Sequence, residues 1–196
     1  MFVHQKSKIM KKITLLIVFL VSLTGFSQEK QQKLQAYFDS NYSKSGLTKQ
    51  DGSDWVISSE NYSDVTKISN VHVTQRYQGI EIFNATSSAW VKEGQIINYT
   101  NNFKANIAGK ANAVTPRLTA IEAVQSAYAK LKIVGLPVFA VAETINAKEF
   151  RLTDGLQEDL ISAKLVYQYT EDNRLVLAWA LQFNAPGSSE LWDLRI

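Results

Sequence analysis

The stretch from residue 71 to residue 85, VHVTQRYQGIEIFNA, constrains the fold more than any other part of the sequence. Apolar or long side chains alternate with polar ones up to Tyr77, and Ile80 and Ile82 resume the alternation after a Gln-Gly dipeptide. A period of two that is interrupted by Gly is typical of two strands joined by a tight turn. The sequence therefore predicts a β-hairpin whose turn contains Gly79.

A third alternating run follows the hairpin, between residues 88 and 99. It contains Gly94, and because Gly adopts positive φ without steric cost, Lys92-Glu93-Gly94 predicts a second tight turn. A further strand is predicted to begin at Trp55, after a polar Asp-Gly-Ser-Asp turn. These strands together predict an antiparallel meander with Gly79 and Gly94 at its corners.

The hairpin residues also resemble a known family signature. The run Gln-x-Tyr-x-Gly-Ile-x-Ile-Phe-x-Ala, followed by a Gly-x-Ile/Val-Ile turn, is similar to the signature of the fungalysin/thermolysin propeptide domain, the N-terminal pro-segment of secreted zinc metallopeptidases. The resemblance is carried by Gln75, Tyr77, Gly79, Ile80, Ile82, Phe83, Ala85 and Gly94. It implies that residues 28–104 fold as such a propeptide domain.

Two amphipathic helices are predicted on either side of a linker. The first covers residues 29–42, and its apolar stripe should pack on the meander. The second begins at the capping box Thr119-Ala-Ile-Glu122 and ends at Gly135 and Pro137. The apolar stripes are Leu34, Tyr37, Phe38 and Tyr42 in the first helix, and Ile121, Val124, Tyr128 and Leu131 in the second. Residues 105–117 lack periodicity and predict the linker.

The second half resembles a PepSY-type module, in which a helix is followed by strands. Short strands are predicted at 138–141, 150–152, 164–170, 175–183 and 191–196. The fold class that we predict is α+β, with two small modules that each consist of an antiparallel sheet packed by a helix. The second module is 118–196, and because it stops inside a strand pattern we expect it to be truncated before a peptidase domain, or to be a shortened relative of such a precursor.

The first 27 residues have the layout of a secretory signal peptide, since four Lys precede an apolar run of 14 residues that ends in small residues. The alternative, an uncleaved membrane anchor, is disfavoured because a spanning helix needs ~20 residues. Cleavage would leave 17 basic and 18 acidic residues, a net charge of −1, which argues against nucleic-acid and membrane-surface partners. We predict a secreted protein with no stable membrane anchor after cleavage. The chain contains no Cys, so it has neither a disulfide framework nor a thiol nucleophile.

Peptidase chemistry of the type found in these metallopeptidases requires a His-Glu-x-x-His motif, in which two imidazoles hold zinc and the Glu acts as a base. The chain has only His4 and His72, so this motif is absent. We therefore predict no catalytic residue, no metal ligand and no cofactor in this chain. The resemblance implies zinc only in the peptidase domain of the precursor.

The function that the resemblance implies is that of a propeptide region, which acts as intramolecular chaperone and inhibitor of a fungalysin-like zinc metalloendopeptidase. The partner would be the cognate catalytic domain, in cis or in trans. A stand-alone exported binding or inhibitor module is the alternative, and a hydrolase is a third, less favoured one. The candidate partner-binding residues form one turn and one strand, which could also be plain sheet and turn: Glu171, Asp172, Asn173, Arg174, Leu191, Trp192, Asp193, Leu194 and Arg195.

Overall fold

The computed structural model describes residues 29–133, 137–156, 159–184 and 190–196. It is a mixed α/β fold with a mostly sheet core. The helices are α1 (29–41), a 3₁₀ turn (Tyr42–Ser45), α2 (Ile107–Lys110) and α3 (Ala120–Lys130). The strands are β1 (Trp55–Ser63), β2 (Ile68–Tyr77), β3 (Ile80–Lys92), β4 (Gln95–Thr100), β5 (Ala140–Asn146), β6 (Glu149–Thr153), β7 (Ile161–Tyr169), β8 (Leu175–Asn184) and β9 (Leu191–Arg195).

One sequence prediction, the signal peptide at 1–27, falls on residues outside these ranges. The helix that was predicted to end at Gly135 ends earlier, at Lys130, because Lys132 adopts a positive φ of 57° that a helix cannot continue through. Within the described ranges, no helix combines the length and the apolar character that a bilayer span requires.

The first four strands form the predicted antiparallel meander. Tyr77 pairs with Ile80, and the two residues between them, Gln78 and Gly79, have φ values of 49° and 69°. Two consecutive positive φ values define the type I′ turn that suits the twist of a hairpin. Glu93 and Gly94 repeat this geometry, with φ values of 51° and 74°. The predicted corners at Gly79 and Gly94 are confirmed.

The last five strands form a second antiparallel meander in the order β5-β6-β7-β8-β9. The strand predicted at 138–141 lies further along the chain, at Ala140–Asn146, because the residues before it pack as irregular chain, with Phe139 buried beside Tyr128. The capping box of α3 is confirmed: the Thr119 side chain accepts a hydrogen bond from the Glu122 backbone N–H, and the Glu122 carboxylate accepts one from the Thr119 N–H.

A short parallel contact joins the two meanders into one nine-stranded sheet. Glu81 of β3 pairs with Val166 of β7, and Ile82 pairs with Tyr167. At this point β3 leaves its regular register with β2, and Asn84 adopts a positive φ of 59°. The prediction of two separate modules is thus not confirmed, because β3 pairs with strands of both meanders.

The helices lie on one face of this sheet. Under α1, a first cluster joins Leu34, Phe38, Leu47, Val71, Val73, Ala89 and Phe103. Under α3, a larger second cluster includes Ile80, Ile82, Tyr128, Leu181 and Phe183, with Tyr77 packed against it. The odd-numbered residues of β2 run from the first cluster to the second, and alternate side chains of a strand share a face. Both clusters therefore occupy the same face, and we call the other one the open face.

The segment 105–117 contains α2 and packs closely on the second meander. Ile107 is buried, and Ala111 forms a parallel bridge with Leu175 at the start of β8. The backbone N–H of Asn112 donates to the Leu175 carbonyl at 3.0 Å. The absence of periodicity here reflects a segment that is fixed by individual contacts and not by a repeating pattern.

Candidate functional site

The motif residue Gln75 is completely buried and joins three separate parts of the chain. Its Nε2 donates to the backbone carbonyls of Asp51 and Lys104, both at 2.9 Å, and its Oε1 accepts from the Lys104 N–H at 2.7 Å. Every polar atom of the amide is thus paired with backbone, as a buried polar side chain requires. Gln75 therefore fixes β2 to the turn before β1 and to the chain that leaves β4.

Asp51 continues this buried network and was not identified from sequence, where it was part of a polar turn. Its Oδ1 accepts from the Ile107 N–H at 2.9 Å, and its Oδ2 accepts from the Thr48 N–H at 2.8 Å and from the Thr48 hydroxyl at 2.7 Å. Burial raises the pKa of Asp51, but these hydrogen bonds outweigh burial and hold the pKa below its ordinary value.

The lowered pKa predicts that Asp51 makes the stability depend on pH. A carboxyl group whose pKa is lower in the folded protein stabilises it above the unfolded pKa, and this contribution is lost as the pH falls through the folded pKa. We expect the difference in unfolding free energy between wild type and Asp51→Asn to be largest near neutral pH and to shrink as the pH falls below 3.8, the ordinary value. Urea unfolding at a series of pH values measures this difference.

The matched control for Asp51 is Asp39→Asn, which changes an exposed carboxylate on α1. It should leave the unfolding free energy close to that of wild type across the same pH range. A difference between wild type and Asp51→Asn that stays constant down to acid pH would contradict the assigned role.

The turn at Gly79 is anchored from outside the hairpin. The Gly79 N–H donates to the Asp54 Oδ2 at 2.8 Å, and the Asp54 Oδ1 accepts from the Arg76 Nε at 3.0 Å. Lys148, on the turn between β5 and β6, donates from its Nζ to the Gln78 carbonyl at 2.8 Å. The motif turn is therefore held by both meanders.

The apolar motif residues fill the second cluster. Ile80 and Ile82 are buried, and the Tyr77 ring lies 5.8 Å from the ring of Tyr167. The Tyr167 hydroxyl donates to the Ala113 carbonyl at 2.8 Å, and burial, with a smaller effect of Tyr77, raises its pKa to about 12. Of the motif residues, Gln75, Tyr77, Gly79, Ile80 and Ile82 thus meet near the contact between the meanders, whereas Gly94 lies at the far corner of the first.

The predicted partner-binding strand is β9, which lies beside β8 and has no other strand neighbour among the described residues. Its side chains alternate between the two faces: Trp192 and Leu194 pack against the second cluster, while Asp193 and Arg195 project from the open face. Leu191, at its beginning, is 66% exposed. Among the described residues, no strand pairs with the backbone edge of β9 that faces away from β8, and we call this edge the free edge of β9.

The predicted partner-binding turn, residues 171–174, is exposed and closed by its own hydrogen bonds. The Asp172 carboxylate accepts from the Thr170 hydroxyl at 2.5 Å and from the Arg174 Nε at 2.6 Å, and these contacts lower its pKa. Asn173 has a φ of 67° and accepts from the Tyr169 hydroxyl. The structure thus shows a well-defined surface turn between β7 and β8, at the end where β8 begins.

A groove of about 380 Å³ lies between this turn and the end of β9. Its floor is β8 from Val176 to Trp179, and the segment 112–118 and Ile196 form its sides. The β8 backbone is already paired here: the Leu177 N–H donates to the Asn112 Oδ1 at 2.9 Å, and Trp179 exchanges two hydrogen bonds with Ile196 at 2.8 and 3.1 Å. An added strand would have to displace these contacts in order to pair with β8 in the groove, whereas no described strand pairs with the outer edge of β9.

In the part of the chain that the structure describes, no three His, Asp or Glu side chains come close enough together to hold a metal ion. His72, on β2, contacts the Ser88 hydroxyl through its Nδ1 at 2.9 Å.

Comparison with known proteins matches the region around Gln75 and Gly79 to a family. Residues 53–103 match the family model described as the Fungalysin/Thermolysin Propeptide Motif. The chain is similar to Extracellular metalloproteinase 5 of Arthroderma otae, at 30% identity over 129 residues, which are 63% of this chain and 20% of the relative. It is also similar to Extracellular metalloproteinase 1 of Phaeosphaeria nodorum, at 33% identity with the same coverage.

The chain spans a fifth of the length of these curated relatives. The predicted propeptide motif is confirmed by the match of residues 53–103. The resemblance of residues 118–196 to a PepSY module stays a prediction. Residues 53–103, with the buried Gln75 and the Gly79 turn at their centre, thus match the fungalysin/thermolysin propeptide family within a chain distantly related to extracellular metalloproteinases.

Proposed function

We propose that this chain is the pro-region of a secreted fungalysin-like zinc metallopeptidase, in which it acts as intramolecular chaperone and inhibitor. The observation that carries the proposal is the match of residues 53–103 to the propeptide motif. The chain that contains this motif is similar to about one fifth of the length of each of the two extracellular metalloproteinases named above. The sequence has no His-Glu-x-x-His motif, so the peptidase chemistry belongs to a different segment of the precursor.

The proposal extends to the organisation of the precursor. Residues 1–27 direct export and are removed, 28–104 form the propeptide domain, 105–117 connect it to the second part, and 118–196 form a PepSY-like module that precedes the peptidase domain. Export, and the absence of a membrane anchor after cleavage, fit the word extracellular in the names of both relatives.

Inhibition by a covalently attached segment requires only modest affinity. A tethered pro-region meets its own catalytic domain at an effective concentration of order mM, so a contact with a dissociation constant near 1 μM is almost fully occupied. Cleavage of the tether removes this advantage, and the peptidase becomes active.

The free edge of β9 is the surface that we assign to the partner, with the turn at 171–174 as a second contact. An extended segment of the catalytic domain can pair with β9 as an added strand, in which main-chain hydrogen bonds supply affinity. The outward backbone groups of β9 belong to Leu191, Asp193 and Arg195, because those of Trp192, Leu194 and Ile196 face β8.

The proposed inhibition predicts a weak effect in trans. The purified protein without its first 27 residues, added to the mature cognate peptidase, should inhibit hydrolysis of a generic peptide with an inhibition constant of about 1 μM or weaker. The same residues in cis should keep the precursor inactive until it is cleaved. Nanomolar inhibition in trans would contradict the role of the tether. If the protein changed neither the activity nor the refolding of the peptidase, the proposal that it is a pro-region would be contradicted.

A pair of variants at one position separates strand addition from side-chain effects. Asp193→Pro removes an outward N–H of β9 and leaves the hydrogen bonds to β8, whereas Asp193→Ala removes the same carboxylate and keeps the N–H. Both variants lose the contact between Asp193 and Arg195, so we expect the proline variant to lose inhibition in trans and the alanine variant to inhibit more strongly than the proline variant. Equal inhibition by the two variants would move the interface away from β9.

A further inference from the structure

Arg195, near the end of β9, lies across the open face of the sheet instead of extending into solvent. Its side chain is only 17% exposed, although it belongs to a strand that has one neighbour among the described strands. Its guanidinium carbon lies 4.1 Å from the centroid of the Phe83 ring. Nη1 donates to the Asp193 carboxylate and, at 3.0 Å, to the Leu194 carbonyl. An edge residue is thus in contact with a strand that is not its neighbour.

Two small residues of β8, Ala178 and Ala180, lie on the open face between β9 and β7. Ala180 lies opposite Arg195 on β8, and Ala178 lies opposite Val166 on β7, next to the β3 pairing at Glu81. Ala178 and Val166 are 7% and 5% exposed although alternation places them on the open face. Because the helices pack on the other face, these two residues must be covered from the open side, where Arg195 and Phe83 lie.

Phe83 belongs to the family motif and lies at the irregular part of β3. It follows the parallel contact with β7 and precedes Asn84, whose positive φ marks the departure from regular pairing with β2. The position of its ring is therefore determined by the joint between the meanders. The stacking contact connects this joint to β9.

The guanidinium of Arg195 is suited to this contact in a way that an ammonium is not. Its Nε is buried and has no hydrogen-bond partner among the described residues, so hydrogen bonding at Nε does not hold the side chain in this position. A planar guanidinium stacks on an aromatic ring with its whole face, whereas Lys is a compact, strongly hydrated point charge. Stacking on Phe83 and the contact with Asp193 therefore orient the side chain.

We propose that Arg195 is a positioning residue that fixes β9 on β8 by stacking across the sheet on Phe83, so that the free edge of β9 is held rigid for an extended segment of the catalytic domain. The inference rests on the proposed function for the identity of the partner only. A strand of five residues that pairs with one other described strand opens readily by local fluctuation. If such a strand has to become ordered on binding, the cost of ordering lowers its affinity for the partner. The contact with Phe83 counteracts both effects.

The test is amide hydrogen exchange of the purified protein without the peptidase, in the variants Arg195→Lys and Phe83→Leu. Each variant should accelerate exchange at Trp192, Leu194 and Ile196 by roughly tenfold, because a cation–π contact shielded from water is lost. Exchange in β1 and β2 should remain as in wild type. The double variant should exchange no faster than the faster single variant, since the two side chains act through one contact.

Two controls make the result specific to this contact. Arg117→Lys makes the same chemical change at an exposed residue before α3 and should leave β9 exchange unchanged. Exchange that accelerates equally in every strand, with additive effects in the double variant, would mean that Arg195 and Phe83 only contribute to global stability. Either that result or unchanged β9 exchange overturns the proposal.

Inhibition in trans then tests what the fixed strand is for. If β9 is held ready for the catalytic domain, Arg195→Lys should weaken inhibition of the cognate peptidase by about the same factor by which it accelerates β9 exchange. Faster exchange with an unchanged inhibition constant would overturn the link to the partner. A wild-type protein that does not inhibit would refute the proposed function, while the exchange data would still decide whether Arg195 fixes β9.

Discussion

Replacing Gln75 with Leu is expected to lower the free energy of unfolding by about 3 kcal/mol, because buried polar groups that lose their partners cost roughly 1–3 kcal/mol each. Leu fills a similar volume but leaves the Lys104 N–H and the carbonyls of Asp51 and Lys104 unpaired. Chemical denaturation followed by Trp fluorescence measures the change. The midpoint should fall with little change in slope.

The control for Gln75 is Gln125→Leu, on the exposed side of α3. The same substitution at an exposed helix position should change stability by less than ~0.5 kcal/mol. Equal effects at positions 75 and 125 would contradict the assignment of Gln75 as the buried connection between β2, the turn before β1 and the chain after β4.

Replacing Trp179 with Ala is expected to destabilise the protein by about 4 kcal/mol, in the range usual for a buried aromatic residue. Trp179 is 4% exposed on β8, its ring lies 5.9 Å from that of Phe150, and its Nε1 donates to the Leu118 carbonyl at 2.8 Å. The substitution removes packing at the centre of the second cluster and frees the segment that precedes α3. Thermal unfolding at several scan rates, with a reversibility check, measures the loss.

Trp179→Phe separates packing from hydrogen bonding at this position. It keeps most of the ring volume and loses the hydrogen bond to Leu118, so we expect a destabilisation of about 1–2 kcal/mol, from one lost hydrogen bond and a small cavity. A loss as large as that of the Ala variant would place most of the contribution in the hydrogen bond and would contradict the packing role.

Local sequence patterns predicted the elements that depend on neighbouring residues. The turns at Gly79 and Gly94 were predictable because only a few residue types tolerate two consecutive positive φ values. The capping box at Thr119 was predictable because its two hydrogen bonds join residues that are three apart. The strand predicted at 175–183 is confirmed as β8, at Leu175–Asn184, and it lies between β7 and β9.

The buried network was not predictable because its partners are distant in sequence. Gln75 looks like any polar residue of an alternating strand, and from residue 71 onward the other odd-numbered positions of β2 are Val71, Val73 and Tyr77. Its position on the apolar side of that alternation was the one signal that could have indicated a buried amide. Only the fold brings Lys104 and Asp51 within reach of it.

Contacts between residues that are distant in sequence could not be predicted from local patterns either. The Trp179 indole donates to the carbonyl of Leu118, in the segment before α3, and no local pattern indicates this partner. The stacking of Arg195 on Phe83 joins β9 to β3, and no sequence period connects the two residues. The candidate site on β9 was predicted as an open strand, whereas the contact that holds it was not.

The order in which the chain acquires structure follows from the short parallel joint. Each meander pairs strands that are close in sequence, whereas Lys164 and Glu81, the ion pair beside the joint, are separated by 83 residues. Contacts between distant residues form late because a large loop must first be closed. During synthesis the N-terminal sheet can fold before residues 161–169 have been made, and the motif strand then serves as the template on which the second half docks.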